Sequence, residues 1–187
     1  MASGENLHYR INEENKIIFV NSKWDQFAEA NNGVNIMSSQ ILNRTLWDFI
    51  SDRTTLNLYR ELLQMVRNGR TVRFNFRCDS PTFRRFMEME ISHGENSCID
   101  FHTHEVATES HLAPVLSVMI PHHSDKLIRI CSWCKKIHTG ELWVELEKAV
   151  NHMRLFENSE LPTLTHGICD ICYHDIKSII KSKTTTS

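Results

Sequence analysis

Four of the chain's six cysteines fall in two C-x-x-C pairs: Cys131 and Cys134 in ICSWC, and Cys169 and Cys172 in HGICDIC. No other feature restricts the fold as much. A C-x-x-C turn aims two sulfurs at one point and leaves backbone N–H groups to support them. Two such turns make a closed tetrahedral site of four thiolates, which suits Zn2+. An iron–sulfur cluster or a redox-active dithiol would use the same residues. Zinc in a structural role is the reading taken forward, because a short segment with a thin core is commonly stapled by a metal.

The choice between metal and disulfides depends on the compartment. MASGENLHYR has no apolar stretch of the kind a secretory signal carries. The longest apolar runs, such as VLSVMI, fall far short of the roughly 20 residues that cross a bilayer. A reducing, cytoplasmic location without membrane contact is therefore expected, and there paired cysteines serve metals or redox chemistry. With 187 residues, 41% of them apolar and 24% charged, the chain can bury a core without disulfides.

The 34 residues between Cys134 and Cys169 exceed what a simple ribbon needs, so they should have structure of their own. ELWVELEKAVNHMRLF, residues 141–156, reads as an amphipathic helix with Leu142, Leu146, Ala149, Met153 and Phe156 on one face. CDICYHDIKSIIK reads as a second helix with Ile171, Ile176, Ile179 and Ile180 as its apolar set. Cys169 and Cys172 then sit at its positive end, where thiolates are favoured. Lys135 and Lys136 offset part of the remaining charge. By analogy, a knuckle plus a helix-borne pair is the treble-clef way of holding zinc. His166 is a candidate to replace one thiolate or to orient one by a hydrogen bond. His138 is a further candidate of the same kind.

The first half follows other periods. HYRINEENKIIFVN, residues 8–21, reads as a hairpin about the turn NEEN, and SKWDQFAEA as a helix. Residues 31–44 read as loop, and TLWDFISD as a short helix. Residues 53–67 form the clearest helix, with Leu56, Tyr59, Leu63 and Val66 on one face and Asn68-Gly69 as its stop. TVRFNFRC, RFMEMEI and CIDFHTHE then alternate apolar and polar residues, as strands of an antiparallel sheet do when one face is buried. The fold class is α+β, with five antiparallel strands and helices on one face.

FVNSKWDQFAEAN, TLWDFI, the long helix and the three alternating strands together resemble a PAS domain over residues 8–105. Residues 106–126 read as a linker, with a strand at VLSVMI. Residues 127–180 form the small helical four-cysteine module, and 181–187 a disordered tail. ICSWCKKI, HGICDIC and RFNFRCDSP followed by RRFMEMEI resemble small bacterial proteins in which a PAS domain precedes such a segment. That resemblance implies signal sensing.

The inward-facing set Phe74, Phe76, Cys78, Met87, Met89, Ile91, Ile99 and Phe101 suggests a filled core or a small apolar pocket. Helix 53–67 has no histidine to ligate haem, and the flavin-binding sequence of the LOV subgroup is absent, so neither cofactor is expected. Cys78 reads as a small hydrophobe, with redox or ligand contact as the alternative. His102 and His104, with Glu88 and Glu90 across the sheet, read as a polar face rather than a second metal site. His122-His123 falls in the linker. No G-x-S-x-G, P-loop or H-E-x-x-H occurs, and a closed four-thiolate site leaves no position for substrate, so no enzyme is expected.

Three functions compete. The first is a sensory module acting through a protein partner or as a homodimer through the PAS-like domain. Trp133 and Trp143 would then be anchors, or they would pack over the knuckle. The second is a zinc-containing transcriptional regulator that binds nucleic acid. The net charge of −2 opposes it, as do the counts of 12 Lys/Arg against 14 Asp/Glu in residues 1–105 and 8 against 7 in residues 127–187. The third is a thiol redox switch that releases its metal on oxidation.

Overall fold

The computed structural model describes residues 6–31, 33–80, 83–110, 123–153 and 161–182. Strands β1 (Leu7–Ile11) and β2 (Ile17–Val20) form the expected hairpin. Helix α1 (Trp24–Ala30), a 3-10 turn at Val34–Ile36, α2 (Ser38–Ile41) and a second 3-10 turn at Leu46–Phe49 follow. The stretch 31–44, read as loop, therefore contains two short helical turns. Helix α3 (Arg53–Arg67) has the expected bounds. Asp52 caps it by accepting the Thr55 N–H at 2.7 Å. Its buried face is Thr55, Leu58, Leu62, Leu63 and Val66, a register that replaces Leu56 with Leu58 and Leu62.

Strands β3 (Val72–Arg77), β4 (Phe83–His93) and β5 (Ile99–Ser110) complete a five-stranded antiparallel sheet in the order β2-β1-β5-β4-β3. Its inner face and α3 share one core, in which Ile11, Leu62, Val66, Ile91, Ile99 and Phe101 have no exposed surface. The alternation in the sequence is the physical cause: each inward residue of β3, β4 and β5 lies opposite another, as Phe74 does Met89 and Ile91 does Phe101. The outer face carries a polar row across four strands, His8, His102, Glu90 and Arg73, each paired in register with the next.

The second half is not the small helical module expected. It contains a four-stranded sheet, β8-β7-β6-β9, together with two helices. Strand β6 (His123–Cys131) pairs antiparallel with β7 (Ile137–His138), which pairs with β8 (Trp143–Val144). Helix α4 (Leu146–Met153) follows, and β9 (Leu161–Gly167) returns parallel to β6. Helix α5 (Asp170–Lys181) ends the described chain. The helix expected from residue 141 begins at Leu146. Trp143 and Val144 are claimed by the sheet instead, and Leu142 is exposed. Ala149 and Val150 of α4 pack on Ile128 and Ile137 in a small second core. Period alone cannot separate a two-residue strand from a first helical turn, because cross-strand pairing decides it.

Strand β5 extends through Ser110 and β6 begins at His123, so both ends of the segment read as linker are strand. The expected strand at 115–120, the expected helix end at 154–156 and the tail at 183–187 lie outside the described residues. Lys181, read as the start of that tail, belongs to α5.

Candidate metal centre

The two cysteine pairs converge because two pieces of local structure are held in register. Strand β6 ends at Cys131, and the chain turns through Ser132-Trp133-Cys134 into β7. Lys135 adopts a left-handed backbone, φ 60°, with its N–H donating to the Cys131 carbonyl at 3.1 Å. The Cys131 N–H donates to the Lys136 carbonyl at 2.8 Å, which closes the knuckle. The parallel pairing of β6 with β9 sets Cys131 opposite Gly167, and the Ser132 N–H donates to the Gly167 carbonyl at 2.8 Å. Two residues after Gly167 comes Cys169, the N-cap of α5, and Cys172 lies in that helix's first turn.

Gly167 passes close to the Arg129 side chain, which an added Cβ would have to displace. A Cβ there would lie 2.7 Å from Cδ of Arg129, on the strand that carries the knuckle.

The four sulfurs all lie within 4.8 Å of one another. Cys134 Sγ is 3.7 Å from Cys169 Sγ. Metal–sulfur bonds of ~2.3 Å in a tetrahedron place sulfurs about 3.8 Å apart. None of the four is in a disulfide; Cys131 and Cys169 are buried, while Cys134 and Cys172 are half-buried. The Cys169 N–H donates to Cys131 Sγ at 3.4 Å and the Cys172 N–H to Cys169 Sγ at 3.5 Å, the backbone support that thiolates need.

Four thiols this close cannot ionise together unaided. Hydrogen bonds from the Cys134 and Cys172 thiols hold Cys131 far below the ordinary thiol range. The same bonds push Cys134 up to about 12 and Cys172 higher still. A divalent cation removes the conflict by accepting all four as thiolates. The group could hold a metal such as zinc, and its residues fit that ion in type, number and spacing.

His166 is not part of this group. It is exposed on β9, opposite Ile130. His138 is on β7, its ring 4.9 Å from that of Trp143.

The knuckle does not point into solvent. Trp133, read as a possible exposed anchor, is 3% exposed and packs against the first sheet. Its ring centroid is 5.5 Å from Tyr59 on α3 and 6.0 Å from Phe74 on β3. The Arg77 N–H donates to the Trp133 carbonyl at 2.7 Å. Around this contact, Arg77 pairs with Asp79 and with Glu145 (2.6 Å), Arg84 with Glu147 (2.9 Å), and Lys177 with Glu61 (2.7 Å). Trp143 is only half-buried.

The positions read as a filled core or a small apolar pocket differ in burial. Phe74, Met87, Met89 and Phe101 are buried, and Tyr9 stacks on Phe101 at 4.3 Å. Phe76 and Cys78 are half-buried. Burial pushes the Cys78 thiol up, so it stays protonated. The strand alternation breaks at Arg77, which is buried because its ion pairs with Asp79 and Glu145 compensate its charge.

On the outer face, His104 lies 3.4 Å from Glu88 as the strand pairing implies. The tighter cluster was missed in the sequence: His8, Asp100 and His102. Its signal is non-local, since only β1–β5 pairing brings His8 beside residues 100–102. His8 Nε2 is 2.6 Å from Asp100, and Arg10 donates to both carboxylate oxygens at 2.7 and 3.2 Å. His8 and His102 stack at 4.0 Å with planes 19° apart, and one ligand atom each of His8, Asp100 and His102 lies within 4.8 Å of the others. Arg10 is the cation paired with Asp100 here. Among the described residues, no helix is long and apolar enough to cross a membrane. Comparison with protein families and with curated proteins finds no match.

Proposed function

We propose that the chain is a sensory signal-transduction protein of the PAS type. In this reading a structural zinc in a treble-clef-like module fixes the surface through which it contacts another protein. The observation that carries it is the placement of Trp133. The metal knuckle is wedged on α3 and β3, so the four-cysteine site and the first sheet share one core. A change in the first sheet would thereby reach the second through packed side chains. Two strands, short helices, a longer helix and three more strands support the PAS reading. A hairpin knuckle and a helix-borne cysteine pair support the treble clef. A site closed by four thiolates favours a structural over a catalytic metal.

With Trp133 buried, the partner-facing role passes to other side chains. Leu127, Leu142, Leu164 and Ile171 of the second half are 56–68% exposed. The test is affinity capture with the zinc-loaded chain and with Leu127→Glu/Leu164→Glu, alongside sedimentation of each. A defined protein, or a second copy of the chain, should bind wild type and be lost in the variant at unchanged zinc content. A chain that stays monomeric and captures no protein would refute the reading. Salt-sensitive binding to DNA would replace it with the regulator alternative.

A further inference from the structure

Between the knuckle and the start of α3 lies a cavity of about 310 Å³. That volume is at the small end of the range for small-molecule sites, roughly 300–1,000 Å³. Leu46, Phe49 and Ile50 make an apolar wall, α3 contributes Thr55 and Tyr59, and the knuckle contributes Ser132 and Lys135. Two observations point to a ligand. Thr55 is 5% exposed, yet its Oγ1 has no hydrogen-bond partner among the described residues. A buried hydroxyl is rarely left in that state. Independently, the polar lining is unbalanced towards donors. Lys135 Nζ donates to the Ser132 carbonyl at 3.0 Å and keeps two more N–H groups. Burial keeps Tyr9 and Tyr59 as O–H donors, Tyr59 titrating only at about 12. Asp52, also on the wall, accepts the Thr55 N–H through one carboxylate oxygen. The mouth shares Ser51, Asp52 and His166 with a wider cleft of about 590 Å³, where Arg53 and Arg129 stand against Asp170.

We propose that this cavity binds a small carboxylate with an apolar body. It rests on the sensory reading above, for which it names the class of signal. One flexible cation, a ring of neutral donors and an apolar wall match a monoanion with a hydrocarbon part. A phosphate dianion would leave the wall uncovered and meet a single lysine. The carboxylate would take Lys135 and Thr55 together, so it would bridge the metal knuckle and α3. The Lys135 side chain is placed by the knuckle itself, through the left-handed backbone that the metal turn imposes.

The test is titration calorimetry on the zinc-loaded full chain. The probes are benzoate, phenylacetate and isobutyrate, with benzamide as the neutral isostere of benzoate and inorganic phosphate as a second anion. At least one carboxylate should bind. Benzoate should exceed benzamide by about tenfold, as for a charge-assisted hydrogen bond, and phosphate should be weaker than the carboxylate that binds. Thr55→Val, which keeps the side-chain shape, should weaken carboxylate binding about five- to tenfold. Lys135→Gln should remove the preference for benzoate over benzamide. Zinc per chain and circular dichroism should match wild type in both variants. No heat with any of the three acids, equal binding of benzoate and benzamide, or unaltered binding by Thr55→Val would each overturn the proposal. An empty cavity in a chain that still holds zinc and captures its protein partner refutes only this inference. Carboxylate binding without any protein contact refutes only the interaction reading.

Discussion

Trp133→Ala tests whether the knuckle is the joint between the two sheets. The indole is 3% exposed and lies against Tyr59 and Phe74. Truncating a buried Trp or Phe to Ala costs about 3–5 kcal/mol. The low end applies here. Trp133 Nε1 has no hydrogen-bond partner among the described residues, so removing the ring also removes an unpaired donor. The surrounding ion pairs cannot compensate, since partly exposed pairs contribute about 0–1 kcal/mol each. The expected loss is therefore about 3 kcal/mol, more than a hundredfold in the folding equilibrium. The assay is urea denaturation of the zinc-loaded chain, followed by far-ultraviolet circular dichroism and tyrosine fluorescence, with zinc measured in parallel. Wild type should unfold in one transition because the knuckle and α5 share a core with the first sheet. Trp133→Ala should split that transition while retaining its zinc, because no sulfur is touched. Trp133→Phe should lose about 1 kcal/mol and keep a single transition. A loss under 1 kcal/mol in Trp133→Ala, or zinc lost as completely as in a cysteine variant, would show that the indole only covers the metal.

Other expectations follow from the same geometry. Elemental analysis should give one zinc per wild-type chain and none in Cys131→Ser or Cys169→Ser, with helicity lost from α5; brown, iron-containing protein would refute zinc. Burial alone would raise the Asp100 carboxyl, but hydrogen bonds from Arg10 and His8 outweigh it and hold the group below its usual range. Its contribution to stability is then complete above the unfolded value of ~3.9 and lost as pH falls through the lower folded value. Asp100→Asn should flatten that acid limb in pH-dependent unfolding, and an unchanged limb would refute the assignment. Glu145→Gln should destabilise the chain by about 1 kcal/mol in urea, since Arg77 keeps Asp79, while Arg77→Met should cost more by stranding Asp79 and leaving Glu145 only Arg84 at 3.6 Å.

The legible parts of the sequence were those set by local period or spacing. Helix α3 could be bounded because its apolar residues keep one period and Asn68-Gly69 stops it; the Asp52 cap at its start was seen only in the structure. The alternation in residues 72–76, 87–91 and 99–103 separated the inner from the outer side of each strand. The spacing of the four cysteines named the site before any contact was known. The outer-face cluster was not legible, because His8 meets Asp100 only across ninety-two residues. Nor were β7 and β8, each two residues long, since such strands exist only through their partners. Ile171, counted with the apolar set of α5, is exposed, while Ile176 on the same helix is buried; the register of α5 against α3 decides between them.

By itself, then, the sequence determined the local chemistry: four thiols in two turns, a capped helix and strands with one dry face. Each of these depends on residues within a few positions of one another. The tertiary structure decided where those pieces meet. The parallel pairing of β6 with β9 gathers the cysteines, and the burial of Trp133 joins the two sheets. Nothing local distinguishes an indole that meets a partner from one that meets its own chain, because both are favoured by the same removal of apolar surface from water.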